Sequence, residues 1–355
     1  MFTASLGIFL FGVILALAGG AIGASIGGNY AFVLTGFSVI FSWGVFAFTG
    51  STFAFDYIAF GPFMGPHIAF AGGAAGAIYA AYRGYMKDGK DVNSPLAGLG
   101  RPDVLLVGAA FGVLGYLLQI GISMIPWFGG HTDSVALAVL LSGMTARVVF
   151  GGTRLFSGSL HDAHKFEEGK RGLARIAPGT NGRWLEWQEK PGQVITIGSF
   201  FGAAAGGVSL FLAGNVGARL TELGMDGSLA AALANTFPFA ISAVIILFLI
   251  TNRSMPVQHH VTNIGGLATI QFFPILMGST FATFQWTATS TWDSRTWMLA
   301  IVAVLIGGVF GIVAASFGEL AARLWYNRGT SHIDPPAGAI WICNTIVVSL
   351  AALLS

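Results

Sequence analysis

Long apolar runs separated by short polar stretches make up most of the chain, and within a run the apolar residues are continuous rather than alternating. Continuous runs do not fit a membrane barrel, whose strands alternate over about 10 residues. An open sheet would leave its edges unsatisfied in lipid. A helix crosses a hydrocarbon core of roughly 30 Å with about 20 residues rising about 1.5 Å each. That length predicts ten spanning helices, at 5–25, 31–54, 64–84, 103–126, 132–151, 194–216, 228–251, 260–284, 297–324 and 335–354. The longest polar stretch lies near the middle. The predicted organisation is therefore a first five-helix membrane repeat over 1–151, a polar cytoplasmic linker over 152–193 and a second five-helix repeat over 194–355.

Composition narrows the class. Hydrophobic residues are 54% of the 355 and charged residues 9%, against a usual charged share of roughly 25%. So few charges do not cover a water-soluble surface of this size. A soluble enzyme, a disordered chain and a nucleic-acid binder are excluded. The 51 glycines are spread through the apolar runs, as small residues are in tightly packed membrane helices. The one cysteine, Cys343, forms neither an internal disulfide nor a thiolate metal site within one chain. Asp56 is the first charged residue, so the opening run lacks a basic leader and reads as the first membrane segment.

Charge sets the expected orientation, because cytoplasmic loops retain Lys and Arg. With the N-terminus outside, the inner side collects Arg83, Lys87, Lys90 and Arg101, the seven basic residues of the linker, Arg253, Arg323, Arg328 and Arg147. The outer side receives Arg219 and Arg295. Fifteen against two predicts a multi-pass protein of the cell inner (plasma) membrane with both termini outside.

The two halves share motifs in the same order. His67 to Ala75 and His260 to Ala268 both fit H-x-x-x-x-G-G-x-A, aligning Gly72-Gly73 with Gly265-Gly266. Gly112 to Gly115 (GVLG) answers Gly308 to Gly311 (GVFG), and His131-Thr132-Asp133 answers His332-Ile333-Asp334. Phe-Gly recurs at 11–12 and 201–202. The four offsets, 190, 193, 196 and 201, rise in one direction. Five is odd, so a second copy enters the membrane from the opposite side. The prediction is an all-α polytopic fold of about ten transmembrane helices arranged as two inverted five-helix repeats.

Asp133 and Asp334 are the sharpest chemical candidates. A carboxylate at the bilayer centre costs roughly 2.5–3.5 kcal/mol on insertion scales, so it faces a cavity or a partner. Each also stands before an apolar run, where Asp caps a helix, and Pro335-Pro336 suits a first turn. The two readings are compatible. A capped helix that starts inside the protein points its positive end at a binding site. His67, His131, His260 and His332 fall at matching repeat positions and are able to orient or protonate a solute. Gly72, Gly73, Gly265 and Gly266 either break their helices to expose backbone or pack them tightly. Gly108-x3-Gly112 and Gly307-x3-Gly311 read as internal packing contacts. Arg147 is expected to snorkel to the inner surface. In the linker, His161-x2-His164 reads as a solvated face, and Trp184 and Trp187 offer a docking point for a partner.

Two inverted five-helix halves resemble the urea transporters and, more loosely, the ammonium transporters. Thr236-Phe237-Pro238-Phe239 is similar to the Thr-x-Pro-Phe end of the urea-transporter signature, although Ala232-Leu233 replaces the Leu-Pro before it. Around Thr35 the first half reads Thr-Gly-Phe-Ser instead. These departures set the chain apart from both families.

The expected function is an integral membrane transporter for a small polar or charged solute. Its site would lie between the repeats, with Asp133, Asp334, His67, His260, His131 and His332 binding or coupling and the Asp/His pairs available to protons. The alternatives are a channel-like facilitator and a membrane assembly subunit. No nucleophile–base spacing, metal motif or nucleotide loop suggests an enzyme, a cofactor or a metal. The expected partners are the lipid bilayer, the solute and a second copy of the chain, not nucleic acid.

Overall fold

The computed structural model describes residues 6–151, 183–327 and 329–355. His161 and His164 lie outside the described residues, as does most of the linker. The described residues form twelve α-helices and no strand, with one isolated parallel bridge between Gly89 and Ser331. In the first half these are α1 (Leu6–Ile26), α2 (Gly28–Thr49), α3 (Ala69–Tyr82), α4 (Pro102–Ser123), the single turn α5 (Phe128–His131) and α6 (Ser134–Gly151). In the second they are α7 (Pro191–Glu222), α8 (Ser228–Leu233), α9 (Thr236–Leu249), α10 (His259–Leu276), α11 (Ser294–Ala321) and α12 (Pro335–Leu354).

Each expected segment contains helix, but the helices are not equally suited to crossing lipid. Among the described residues, seven stretches are long and apolar enough to span: α1, α2, α4, α7, α8 with α9, α11 with the π turn that follows it, and α12. The expected spans at 64–84 and 260–284 contain shorter helices. α3 has 14 residues, about 21 Å at 1.5 Å each, less than the hydrocarbon thickness. Pro62, Gly65 and Pro66 keep the chain out of regular helix until Ala69. α10 has 18 residues and opens on His259-His260-Val261-Thr262-Asn263, which is polar for a spanning helix. Both helices are buried along nearly their whole length. Outward faces of α1, α7 and α11 instead carry exposed Phe11, Phe200 and Leu305, the surface lipid solvates.

α1 packs on α3 and α4, and α3 and α4 both pack on α6. In the second half α7 packs on α10 and α11, and both of these pack on α12. Two crossings join the halves, α2 with α9 and α6 with α12.

Glycine makes the tightest approaches possible. A Cβ on Gly72 would sit 2.6 Å from the Gly20 carbonyl oxygen and 2.8 Å from that of Gly108. One on Gly265 would sit 2.5 Å from Gly202 Cα, and one on Gly307 2.7 Å from the Gly265 oxygen. α1, α3 and α4 thus meet backbone to backbone at Gly20, Gly72 and Gly108, and α7, α10 and α11 do so at Gly202, Gly265 and Gly307. Gly73 and Gly266 are buried the same way, against Gly28 and Asn235. Of the two expectations for these glycine pairs, broken helices and tight packing, the packing is what is seen. α3 runs unbroken through Gly72-Gly73 and α10 through Gly265-Gly266, because the missing side chains are used for close packing.

Candidate solute site

Both aspartates cap helices. Asp133 Oδ1 accepts the Ala136 N–H at 2.8 Å, and Asp334 Oδ2 accepts the Ala337 N–H at 2.8 Å. They start α6 and α12, the pair that crosses between the halves. Thr132 Oγ1 donates to the Trp341 carbonyl at 3.3 Å, and Asn344 Nδ2 donates to the His131 carbonyl at 2.9 Å. The start of α6 is therefore tied to the middle of α12. Reciprocally, the chain before α12 crosses the middle of α6, where a Cβ on Gly143 would lie 3.2 Å from the His332 oxygen.

Arg147 holds that second crossing. It is 2% exposed. Nε donates to Ser331 Oγ at 2.6 Å, and Nη2 donates to the carbonyls of Trp325 at 2.6 Å and Ser331 at 3.0 Å. The expected snorkelling is thus replaced by a buried anchor, since these oxygens give the guanidinium the hydrogen bonds it would otherwise seek in water.

A cavity of about 350 Å³ opens between the halves. The first half contributes Phe32, Phe60, Phe70 and Asp133 to its wall, and the second Phe239, His259, Asn263, His332 and Asp334. Phe32 packs on Phe70 and Phe239 with ring centroids 6.0 and 5.7 Å apart. His259 sits against the same two helices, 4.7 Å from Phe32 and 5.9 Å from Phe239. Its Nδ1 is buried without a hydrogen-bond partner. His332 is held between the Lys90 carbonyl and Asp334 Oδ1, each 3.4 Å from a ring nitrogen. On α9 and α10, Asn235 Nδ2 donates to Asn263 Oδ1 at 3.1 Å.

Of the residues singled out in the sequence, Asp133, Asp334 and His332 line this cavity. His67 and His260 are buried but not part of the lining. His131 lies on the far side of its cap, stacked on Trp127 at 4.5 Å with Nδ1 2.6 Å from the Trp127 carbonyl. Sequence reasoning gave His259 no weight, since it has no counterpart in the first half, passed over Asn235, Asn263 and Phe32, and met Phe239 only within the Thr-x-Pro-Phe resemblance. A polar signal was there for three of these, because His and Asn inside apolar helices face a cavity or a partner. The two tryptophans offered as a docking point are engaged within the chain. Trp184 lines the cavity, its backbone N–H donating to Asn327 Oδ1 at 2.9 Å, and Trp187 Nε1 donates to the Arg253 carbonyl at 3.1 Å. Among the described residues, no three His, Cys, Asp or Glu side chains converge as metal ligands.

Among the described residues seven apolar helical stretches are of spanning length, and the all-helical fold is consistent with a helical membrane protein. The chain belongs to DUF7973, a family of unknown function, whose profile matches residues 3–218 and 222–355. No curated protein matches the chain, and no solved structure does.

Proposed function

We propose that this protein is an integral membrane transporter for a small polar or charged solute, built from two inverted repeats. The observation that carries the reading is the chamber between α6 and α12, with Asp133 and Asp334 capping the two crossed helices at its wall. Packing supports the duplication. α1, α3, α4 and α6 have the same mutual contacts as α7, α10, α11 and α12, and α2 and α9 meet each other. Gly20, Gly72 and Gly108 correspond to Gly202, Gly265 and Gly307. An odd number of segments per repeat puts the two helix starts on opposite sides of the membrane. Alternating access around a fixed central site follows from such an arrangement. Within this reading the membrane is the cell inner membrane, both termini lie outside, and Asp334 with His332 exchanges the coupling proton.

The second reading is a channel-like facilitator. It is favoured by the largely apolar wall and by the use of both carboxylates as helix caps. The test is uptake into proteoliposomes over a solute panel, with and without a pH gradient. Gradient-dependent uptake by wild type supports the transporter, and gradient-independent uptake supports the facilitator. No uptake of any solute, by protein that is folded and inserted, removes both.

A further inference from the structure

The chamber's charge, walls and size select among solutes, a step that rests on the transport reading. The lining has two charged side chains, Asp133 and Asp334, and neither Lys nor Arg. Carboxylates in a poorly solvated chamber repel an anion, and they bind a cation that replaces their lost hydration. Hard cations take six or more oxygen ligands, and among the described residues no three His, Cys, Asp or Glu side chains converge to supply them. About 350 Å³ also falls within the range of small-molecule sites rather than ion sites.

The walls supply the rest. Phe32, Phe60, Phe70 and Phe239 line the chamber and touch in sequence, with centroids 6.0 Å apart for Phe70–Phe32, 5.7 Å for Phe32–Phe239 and 6.1 Å for Phe239–Phe60. Aromatic faces attract organic cations and accept their alkyl groups. His259 adds a separate observation. It is 6% exposed, lines the chamber and has a buried Nδ1 with no partner. Nδ1 has no surface open to the chamber, so the nitrogen left to meet a solute is Nε2, which in its accepting form takes an ammonium N–H.

We propose that the chamber binds a protonated alkylamine. Its ammonium head lies against Asp334 beside His259, to which one N–H is donated, and its alkyl body lies against the phenylalanines.

The test is thermal stabilisation of the purified full chain in detergent by four probes of similar shape. These are tert-butylammonium (cationic, N–H donors), tetramethylammonium (cationic, no donor), tert-butanol (neutral) and pivalate (anionic). The expected order is tert-butylammonium, then tetramethylammonium, with no shift from the other two. Asp133→Asn/Asp334→Asn should abolish the shift, and His259→Phe should weaken tert-butylammonium at least fivefold while sparing tetramethylammonium. A shift from pivalate or tert-butanol as large as that from the amine, a shift from none of the four, or an amine shift that survives the double Asn variant overturns the proposal. If the double variant does not fold, the wild-type order alone decides. Uptake of a neutral or anionic solute without amine binding would sink this inference and leave transport standing. Amine binding without flux of any solute would do the reverse.

Discussion

Phe32 on α2 and Phe239 on α9 meet edge to face across the boundary between the halves, with ring centroids 5.7 Å apart and planes at 85°. Both are nearly fully buried, and both touch His259. Truncating a buried Phe to Ala costs about 3–5 kcal/mol. An edge-to-face pair adds about 0.5–1.5 kcal/mol beyond its burial. A double-mutant cycle of Phe32→Ala and Phe239→Ala, measured by chemical unfolding in mixed micelles, should therefore show coupling of about 0.5–1.5 kcal/mol. Strict additivity would mean that the rings do not meet.

Capping and solute binding by the aspartates are separable, because Asn caps a helix about as well as Asp while Ala does not. Asp133→Asn and Asp334→Asn should keep the melting temperature near wild type and lose solute uptake by at least tenfold. Asp133→Ala and Asp334→Ala should lose uptake and also about 1 kcal/mol of stability each. Uptake at wild-type rates in both Asn variants would reduce the two carboxylates to caps.

Much of this was legible in the chain because it depends on local pattern. Apolar runs placed every large helix, and Asp before an apolar run marked both caps. What was not legible depends on tertiary neighbours. His131 and His332 each stand two residues before a capping aspartate, yet one stacks on Trp127 outside the chamber and the other meets the Lys90 carbonyl inside it. Phe32 was indistinguishable among 30 phenylalanines. The glycine register also drifted. Phe-Gly at 11–12 and 201–202 set Gly12 against Gly202 in the expected alignment, whereas the glycines at the three-helix junctions are Gly20 in α1 and Gly202 in α7. In a chain with 51 glycines, short matches are plentiful and only packing selects among them.

Those junctions make a direct prediction. A methyl group on Gly72 or Gly265 meets backbone atoms at 2.5–2.9 Å, which cannot rotate aside, so whole helices must separate. Overpacking of this kind costs about 1–3 kcal/mol. Gly44 and Gly207 have nothing within 4 Å of the same point, and alanine there should be neutral or slightly stabilising through helix propensity. Similar losses for Gly72→Ala and Gly265→Ala, with none at the control sites, are expected in thermal unfolding. Neutral behaviour at Gly72 would show that α3 does not press on α1.

Arg147 should resist conservative replacement. Its guanidinium donates in one plane to Ser331 and Trp325, a fork that a lysine ammonium does not reproduce. Hydrogen bonds from charged donors contribute about 1.5–3 kcal/mol. Arg147→Lys should cost an amount of that order and loosen the segment leading to His332 and Asp334. Faster amide exchange at Ser331 and His332 in the variant is the readout. Unchanged protection would show that the segment is held without Arg147.

Asp293 gives a pH dependence at the other end of the molecule. It caps α11 in the loop before that helix, its Oδ1 accepting the Thr296 N–H at 2.8 Å. Hydrogen bonds from the Thr296 side chain and backbone hold its carboxyl below the ordinary aspartate range, against a smaller opposing effect of burial. A depressed folded value means that the carboxylate form stabilises the folded state. Its contribution is complete above the unfolded value, about 3.9, and disappears as pH falls through the lower folded value. Asp293→Asn keeps a capping oxygen but removes the ionisation. Melting temperature should therefore fall less steeply below pH about 4 in Asp293→Asn than in wild type, and the two curves should run parallel at neutral pH. An identical acid limb in both proteins would show that Asp293 takes no part in the acid sensitivity of the fold.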